Sequence, residues 1–201
     1  MENQDKKRIL ILEAALKRFA HFGLAKTTMT DIAKDLSLSK ALLYYYFPDK
    51  ISLYVSVIDH IMHTVSNEIK KTIKKAGNCA DAIMGLIERR QAFIQKYHNL
   101  LEYSSLIKTE IPEDLFEKFN KAKEFEVRNI TDLFRKGSES GEFLMDDPAL
   151  NAEILTEALF GIRFNVTSNR HTIFAANEDF KKIFKKERQL ASIFLAGLKN
   201  N

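Results

Sequence analysis

Apolar residues recur every three or four positions along almost the whole of this 201-residue chain, and no segment alternates apolar and polar residues as a half-buried strand would. The spacing predicts an all-α protein of about nine helices. A first helix over 3–22 carries Ile9, Leu12, Leu16 and Phe19 on one stripe and stops at Gly23. Thr27 or Thr28 caps a short second helix with Ile32, Ala33 and Leu36 inward. Residues 36–38 form a turn, Ser39 caps a third helix, and Phe47-Pro48 ends it. Asp49 opens a long fourth helix to about residue 75, buried along Tyr54, Ile58, Ile61, Val65 and Ile69. After a break at Gly77-Asn78, a helix over 80–103 turns Ile83, Leu86, Ile87, Phe93, Ile94, Tyr97 and Leu101 inward. Ile111-Pro112-Glu113 starts the next helix, to about 136, and G-S-E-S-G at 137–141 is a loop. Pro148 opens a helix to about 172, and Asp179 starts the last, to about 198.

Composition narrows the class. Hydrophobic residues make up 45% and charged residues 29%, enough apolar material for a real core. The net charge of +4 is a weak pointer to a polyanionic partner, but residues 1–52 carry +3 of it. Cys79 is the single cysteine, so an intramolecular disulfide and a zinc cluster of cysteines are excluded and a reducing compartment is expected. No apolar run approaches the roughly 20 residues that span a bilayer, and no signal-peptide core is present. The expectation is a cytoplasmic protein that needs no cofactor.

The second and third helices suggest a helix-turn-helix unit. A recognition helix must offer its first turn to the major groove while its partner braces on the backbone, and helix N-termini bind phosphate through free N–H groups. Thr28 and Thr30 add hydroxyls at one such end, and Ser39 and Lys40 lie at the other. Tyr44 and Tyr45 offer phenolic donors to phosphates, Tyr46 reaches the groove wall, and Lys50 is placed as a phosphate clamp. Ile32, Leu36, Leu38, Leu43 and Phe47 would form the small core beneath. By pattern alone this is equally a three-helix subdomain with ordinary caps and half-buried tyrosines.

Residues 9–53, with A-A-L-K-R-F-A-H-F-G, T-T-M-T-D-I-A and L-S-K-A-L-L-Y-Y-Y-F-P-D-K-I-S-L, resemble the DNA-binding domain of the tetracycline-repressor (TetR) family. The remainder matches in length, helical pattern and a G-x-x-x-G-E-F loop before two final helices. The resemblance implies a homodimeric transcription regulator, usually a repressor, released from a double-stranded DNA operator by a small molecule. It places Thr28, Thr30, Lys40, Leu42, Tyr44, Tyr45, Tyr46 and Lys50 on DNA-facing positions. Three departures stand out. Ser37 occupies the turn where the family often has Gly, so the turn needs a positive φ or shifts. Ala41 replaces a second frequent Gly, and Leu42 a Thr, which exchanges a phosphate donor for a contact to a thymine methyl.

Residues 1–48 are thus expected to be the DNA-binding domain and 49–201 a regulatory and dimerisation domain. Helix 149–172, with Ile154, Ala158, Gly161, Ile162 and Asn165 on one side, and helix 179–198, with Phe184, Leu190 and Phe194, are the candidate dimer interface; the same stripes would serve to close the subunit's own core. The family resemblance, with its four-helix dimer bundle, favours the interface. Phe93, Tyr97, Phe116, Phe119, Phe134, Phe160 and Phe164 are candidates to line a cavity for an effector of apolar or aromatic character, or else they fill the core. Arg90 falls on a buried stripe, where it meets a ligand carboxylate, pairs with an internal Glu or snorkels to the edge. Glu102, Tyr103 and Asn165 are weaker candidates. His60 and His63 lack the further ligands of a metal site, and no phosphate-binding loop, G-x-S-x-G elbow or H-E-x-x-H motif occurs. The readings that compete are a constitutive dimeric DNA-binding protein without a ligand and a helical enzyme.

Overall fold

The computed structural model describes residues 2–98, 100, 113–168 and 177–199. Among these there are eight helices and no strand: α1 Glu2–Lys26, α2 Met29–Asp35, α3 Lys40–Tyr46, α4 Lys50–Lys75, α5 Cys79–Lys96, α6 Glu113–Glu139, α7 Pro148–Ser168 and α8 Asn177–Leu198. Leu101, Glu102 and Tyr103, and the last residues expected in the seventh helix, lie outside the described residues. The chain divides into two compact units. One holds residues 1–64 and 96–118, the other 65–95 and 119–201, so α4 contributes its first half to one and its second half to the other.

The first unit forms its core from Ile11, Leu12, Ala15 and Phe19 of α1, Ile32 and Ala33 of α2, Leu43 of α3, and Leu53, Tyr54, Val57 and Ile58 of α4. Ile9 is exposed instead of buried: four consecutive apolar residues, Ile9 to Leu12, leave the phase of the stripe open, and packing settles it on Ile11 and Leu12. Gly23 breaks α1 with a φ of 73°. Fully buried Tyr54 sets its ring edge-on to Phe19 at 5.5 Å and donates its hydroxyl proton to the Leu100 carbonyl.

In the second unit the G-x-x-x-G-E-F segment is a piece of tertiary structure more than a loop. α6 runs through Gly137 to Glu139, beyond the expected end near 136, because the Phe143 ring lies against Gly137. A Cβ at Gly137 would stand 2.1 Å from that ring. Gly141 then turns the chain with a φ of 77°. Glu142 accepts hydrogen bonds from the Cys79 and Ala80 N–H groups, both 2.8 Å, which satisfies the start of α5. Phe143 packs edge-on to Phe134. Asp147 caps α7 through the N–H groups of Ala149 and Leu150, with Pro148 at the first helical position.

Four helices of this unit also meet around one buried carboxylate. Glu187 of α8 is fully buried. It receives Arg163 of α7 at 3.0 Å, Arg90 of α5 at 3.4 Å, and the Gln91 side-chain amide. Arg90 donates in addition to Glu126 of α6. Two guanidinium groups thus face two carboxylates. Burial beside Arg163 pulls the Arg90 pKa down to about 9, which leaves it charged at neutral pH. Glu187→Ala takes the shared carboxylate from Arg90, which keeps Glu126, and from Arg163, and unfolding by denaturant should show a loss of about 3 kcal/mol. A loss within a few tenths of a kcal/mol of zero would show that the cluster is not holding these helices together.

Candidate nucleic-acid interface

The geometry of α2 and α3 follows from their ends. Thr28 accepts from the Asp31 N–H at 3.1 Å, while the Asp31 carboxylate accepts from Thr28 N–H and hydroxyl, a reciprocal capping box. Those hydrogen bonds hold the Asp31 carboxyl below its ordinary pKa. Ser39 caps α3 by accepting from the Leu42 N–H at 3.1 Å. Between the helices, Ser37 N–H reaches the Lys34 carbonyl and Leu38 N–H the Ala33 carbonyl, the paired bonds of a Schellman stop. Ser37 sits at its left-handed position with a φ of 52°, so the turn keeps its place and takes the positive φ where it could have shifted.

Two polar contacts then lock the unit. Arg18 of α1 grips Asp35 at the end of α2 with two hydrogen bonds of 2.5 and 2.7 Å, which lowers the Asp35 pKa. Lys50 donates to the Leu24 and Thr27 carbonyls at 2.9 and 3.2 Å. The structure therefore gives Lys50 an internal task, satisfying the end of α1, where a phosphate clamp was expected. Thr27, one residue before the cap, is buried and donates to the Gly23 carbonyl.

What remains at the surface is the polar-aromatic face of α3. Lys40 is exposed, with its ammonium 5.7 Å from the Tyr44 ring centroid. Tyr45 is 69% exposed and stands edge-on to Tyr46 at 5.4 Å. Thr28 and Ser39 are exposed at the two helix starts; Thr30, Leu42 and Tyr46 are half-buried. Leu43 and Phe47 point the other way, into the core. Seven residues of helix present a lysine, two phenols and a capped N-terminus on one side, the chemistry that phosphates and groove edges accept.

Comparisons with known proteins agree. The family model of bacterial regulatory proteins of the tetR family matches residues 11–57. The crystal structure of a transcriptional regulator from Cytophaga hutchinsonii is 30% identical and superposes with a TM-score of 0.89 over 96% of this chain and 99% of that one. The chain belongs to the TetR family of transcriptional regulators. Among Bacillus subtilis proteins, it is similar to the HTH-type regulator YhgD, 27% identical over 80% of this chain and 84% of YhgD. A shorter match to the HTH-type regulator YuxN, 31% identical, spans 53% of this chain but only 35% of YuxN.

The residues expected to line an effector cavity of this regulator differ in burial. Phe134 is fully buried, stacked on Phe194 and edge-on to Phe143. Phe116, Phe160 and Phe164 are 56%, 60% and 63% exposed. Phe93, Tyr97 and Phe119 are half-buried, and Arg90 is engaged with Glu126 and Glu187. Helical spacing marks an apolar stripe without saying what meets it. A groove of about 600 Å³ lies between α6 and α7, where Val127 and the side chains of Asn120, Lys123, Arg128, Glu153 and Glu157 line it.

The expected interface splits in the same way. Ile154, Gly161 and Asn165 of α7 are exposed, with Ala158 and Ile162 half-buried beside them. Phe184, Leu190 and Phe194 of α8 are half-buried, and Leu190 and Phe194 pack on their own subunit's core. The exposed apolar positions of α8 are Ile193, Ala196 and Gly197, which sequence reasoning misses. Only the register of α8 against α7 reveals them. Glu187 escapes notice as well, because it sits in a lysine-rich run that reads as solvated.

The left-handed Ser37 generates a stability test. Ser37→Gly removes the Cβ strain of that conformation, and the melting midpoint should rise, by about 1 kcal/mol of stability at most. A lower midpoint would show that the Ser side chain itself holds the turn.

Proposed function

We propose that the chain is a homodimeric, cytoplasmic repressor that occupies a palindromic operator and is released from it by a small molecule. The observation that carries the reading is the exposed face of α3, with Lys40, Tyr44 and Tyr45 outward on a unit locked by Arg18–Asp35 and Lys50. Residues 1–48 read DNA and 49–201 regulate and dimerise. Thr28, Thr30 and Ser39 face phosphates, Lys40 a base edge or phosphate, and Leu42 a thymine methyl. The dimer forms through α7 and α8. Leu150, Ile154, Phe160, Gly161 and Phe164 of α7 and Ile193 of α8 leave an apolar stripe at the surface of one chain, as a helix-pair interface requires. The effector acts by favouring the arrangement of α4 in which the two DNA-reading helices no longer match successive grooves, and it can do so only through differential affinity.

A second reading, a constitutive DNA-binding dimer without effector, draws support from the way Arg90 and Phe134 are spent on internal contacts. Small molecules added to a bound operator separate the two readings.

Selection of duplexes from a random pool tests the DNA reading. Two inverted half-sites should be enriched with their centres about 34–36 Å apart or a multiple of that. Lys40→Ala should then cost roughly 1–3 kcal/mol of operator affinity if it meets a base. An unstructured, purely salt-dependent pool would refute the operator. For the dimer, Ile154→Asp should give a species of 23.2 kDa in sedimentation equilibrium, against twice that for the wild type. A dimeric variant would move the interface elsewhere.

A further inference from the structure

The side chain of Gln4, in the first turn of α1, donates a hydrogen bond from Nε2 to the Tyr45 hydroxyl oxygen at 3.0 Å. The two residues are 41 positions apart and both are exposed. Nothing about helix α1 requires this contact, because α1 is already anchored by Ile11, Leu12, Ala15 and Phe19. One turn further along the same face, the Arg8 guanidinium lies 5.2 Å from the Phe47 ring centroid. The start of α1 is therefore laid along the second half of α3, the helix with the exposed phenols.

The direction of the Gln4 bond matters. The amide is the donor and the phenol oxygen the acceptor, so the phenolic proton is not consumed. Among the described residues that proton has no protein acceptor. The ring is restrained twice, by Gln4 at its hydroxyl and by the edge of Tyr46. A side chain this exposed would otherwise lose rotamer freedom on meeting DNA. A phenol that accepts one hydrogen bond is also polarised toward donating another.

We infer that Gln4 is a positioning residue of the DNA-reading surface: it holds the Tyr45 phenol in place so that its proton is delivered to a backbone phosphate of the operator. This rests on the DNA-binding reading above. It assigns to α1 a part in setting how α3 seats, outside the helix-turn-helix itself.

The test is a double-mutant cycle on full-length protein, with a duplex enriched by the wild type as the probe. Affinity is measured for Gln4→Ala, Tyr45→Phe and the double variant, with melting temperatures alongside. Each single change weakens binding about 3- to 10-fold, the double variant binds no worse than Tyr45→Phe alone, and melting temperatures hold. Base preferences stay as in the wild type, since a phosphate contact carries no sequence information. Wild-type affinity in Gln4→Ala, losses that multiply in the double variant, or losses that track a lower melting temperature overturn the inference and leave the DNA reading intact. A wild type that enriches no duplex overturns both.

Discussion

A carboxylate with no solvent to stabilise it must be surrounded by donors, and Glu187 imposes that requirement on four helices at once. Arg90 and Gln91 come from α5, Arg163 from α7, and Arg90 draws in Glu126 from α6. The apolar core of this unit, from Ile83 and Leu86 through Phe134, Phe143 and Leu155 to Leu195, is non-directional and would tolerate sliding of one helix on another. The ion cluster is directional. It fixes the rotation of α8 against α5 and α7, and with it which residues of α7 and α8 are left outside. The exposed stripe of Ile154, Gly161 and Ile193 is in that sense a consequence of where Glu187 has to be.

The DNA-reading unit obeys a different economy. Its helices α2 and α3 are only seven residues each, too short to persist alone. Caps and tertiary contacts supply what length cannot. The capping box at Thr28, the Ser39 cap, the Schellman stop at Ser37 and the two carbonyls held by Lys50 satisfy the orphan backbone groups at successive junctions. The result is a rigid short helix whose outward side chains are not needed for folding. Lys40, Tyr44 and Tyr45 stay at the surface, outside the core that holds the helix.

The junctions of this unit are legible in the sequence alone. The helix starts at Ser39 and Asp49 and the break at Gly23 lie where the residues predict them, while Thr28 and the positive φ at Ser37 are each one of two outcomes the residues leave open. The reason is that caps and turns are decided within four or five residues. The outward face of α3 is legible for the same reason, because a seven-residue helix has few ways to orient three tyrosines between two buried anchors. Lys50 departs from this rule. Its position at a helix start suits a phosphate, but its ammonium finds the carbonyls of Leu24 and Thr27, more than twenty residues away.

The sequence by itself determined the local grammar of this regulator: helix periods, caps, turns, and the family pattern that lies in one continuous stretch. Only the tertiary structure decided how the stripes are used. Arg90 finds Glu187 across 97 residues, the Phe134 ring goes to the core and Phe160 to the surface, and α8 turns Ile193 outward instead of Phe194. Periodicity states that a helix has an apolar side. Which neighbour covers that side depends on packing and charge pairing among segments distant in the chain, and no short-range pattern carries that information.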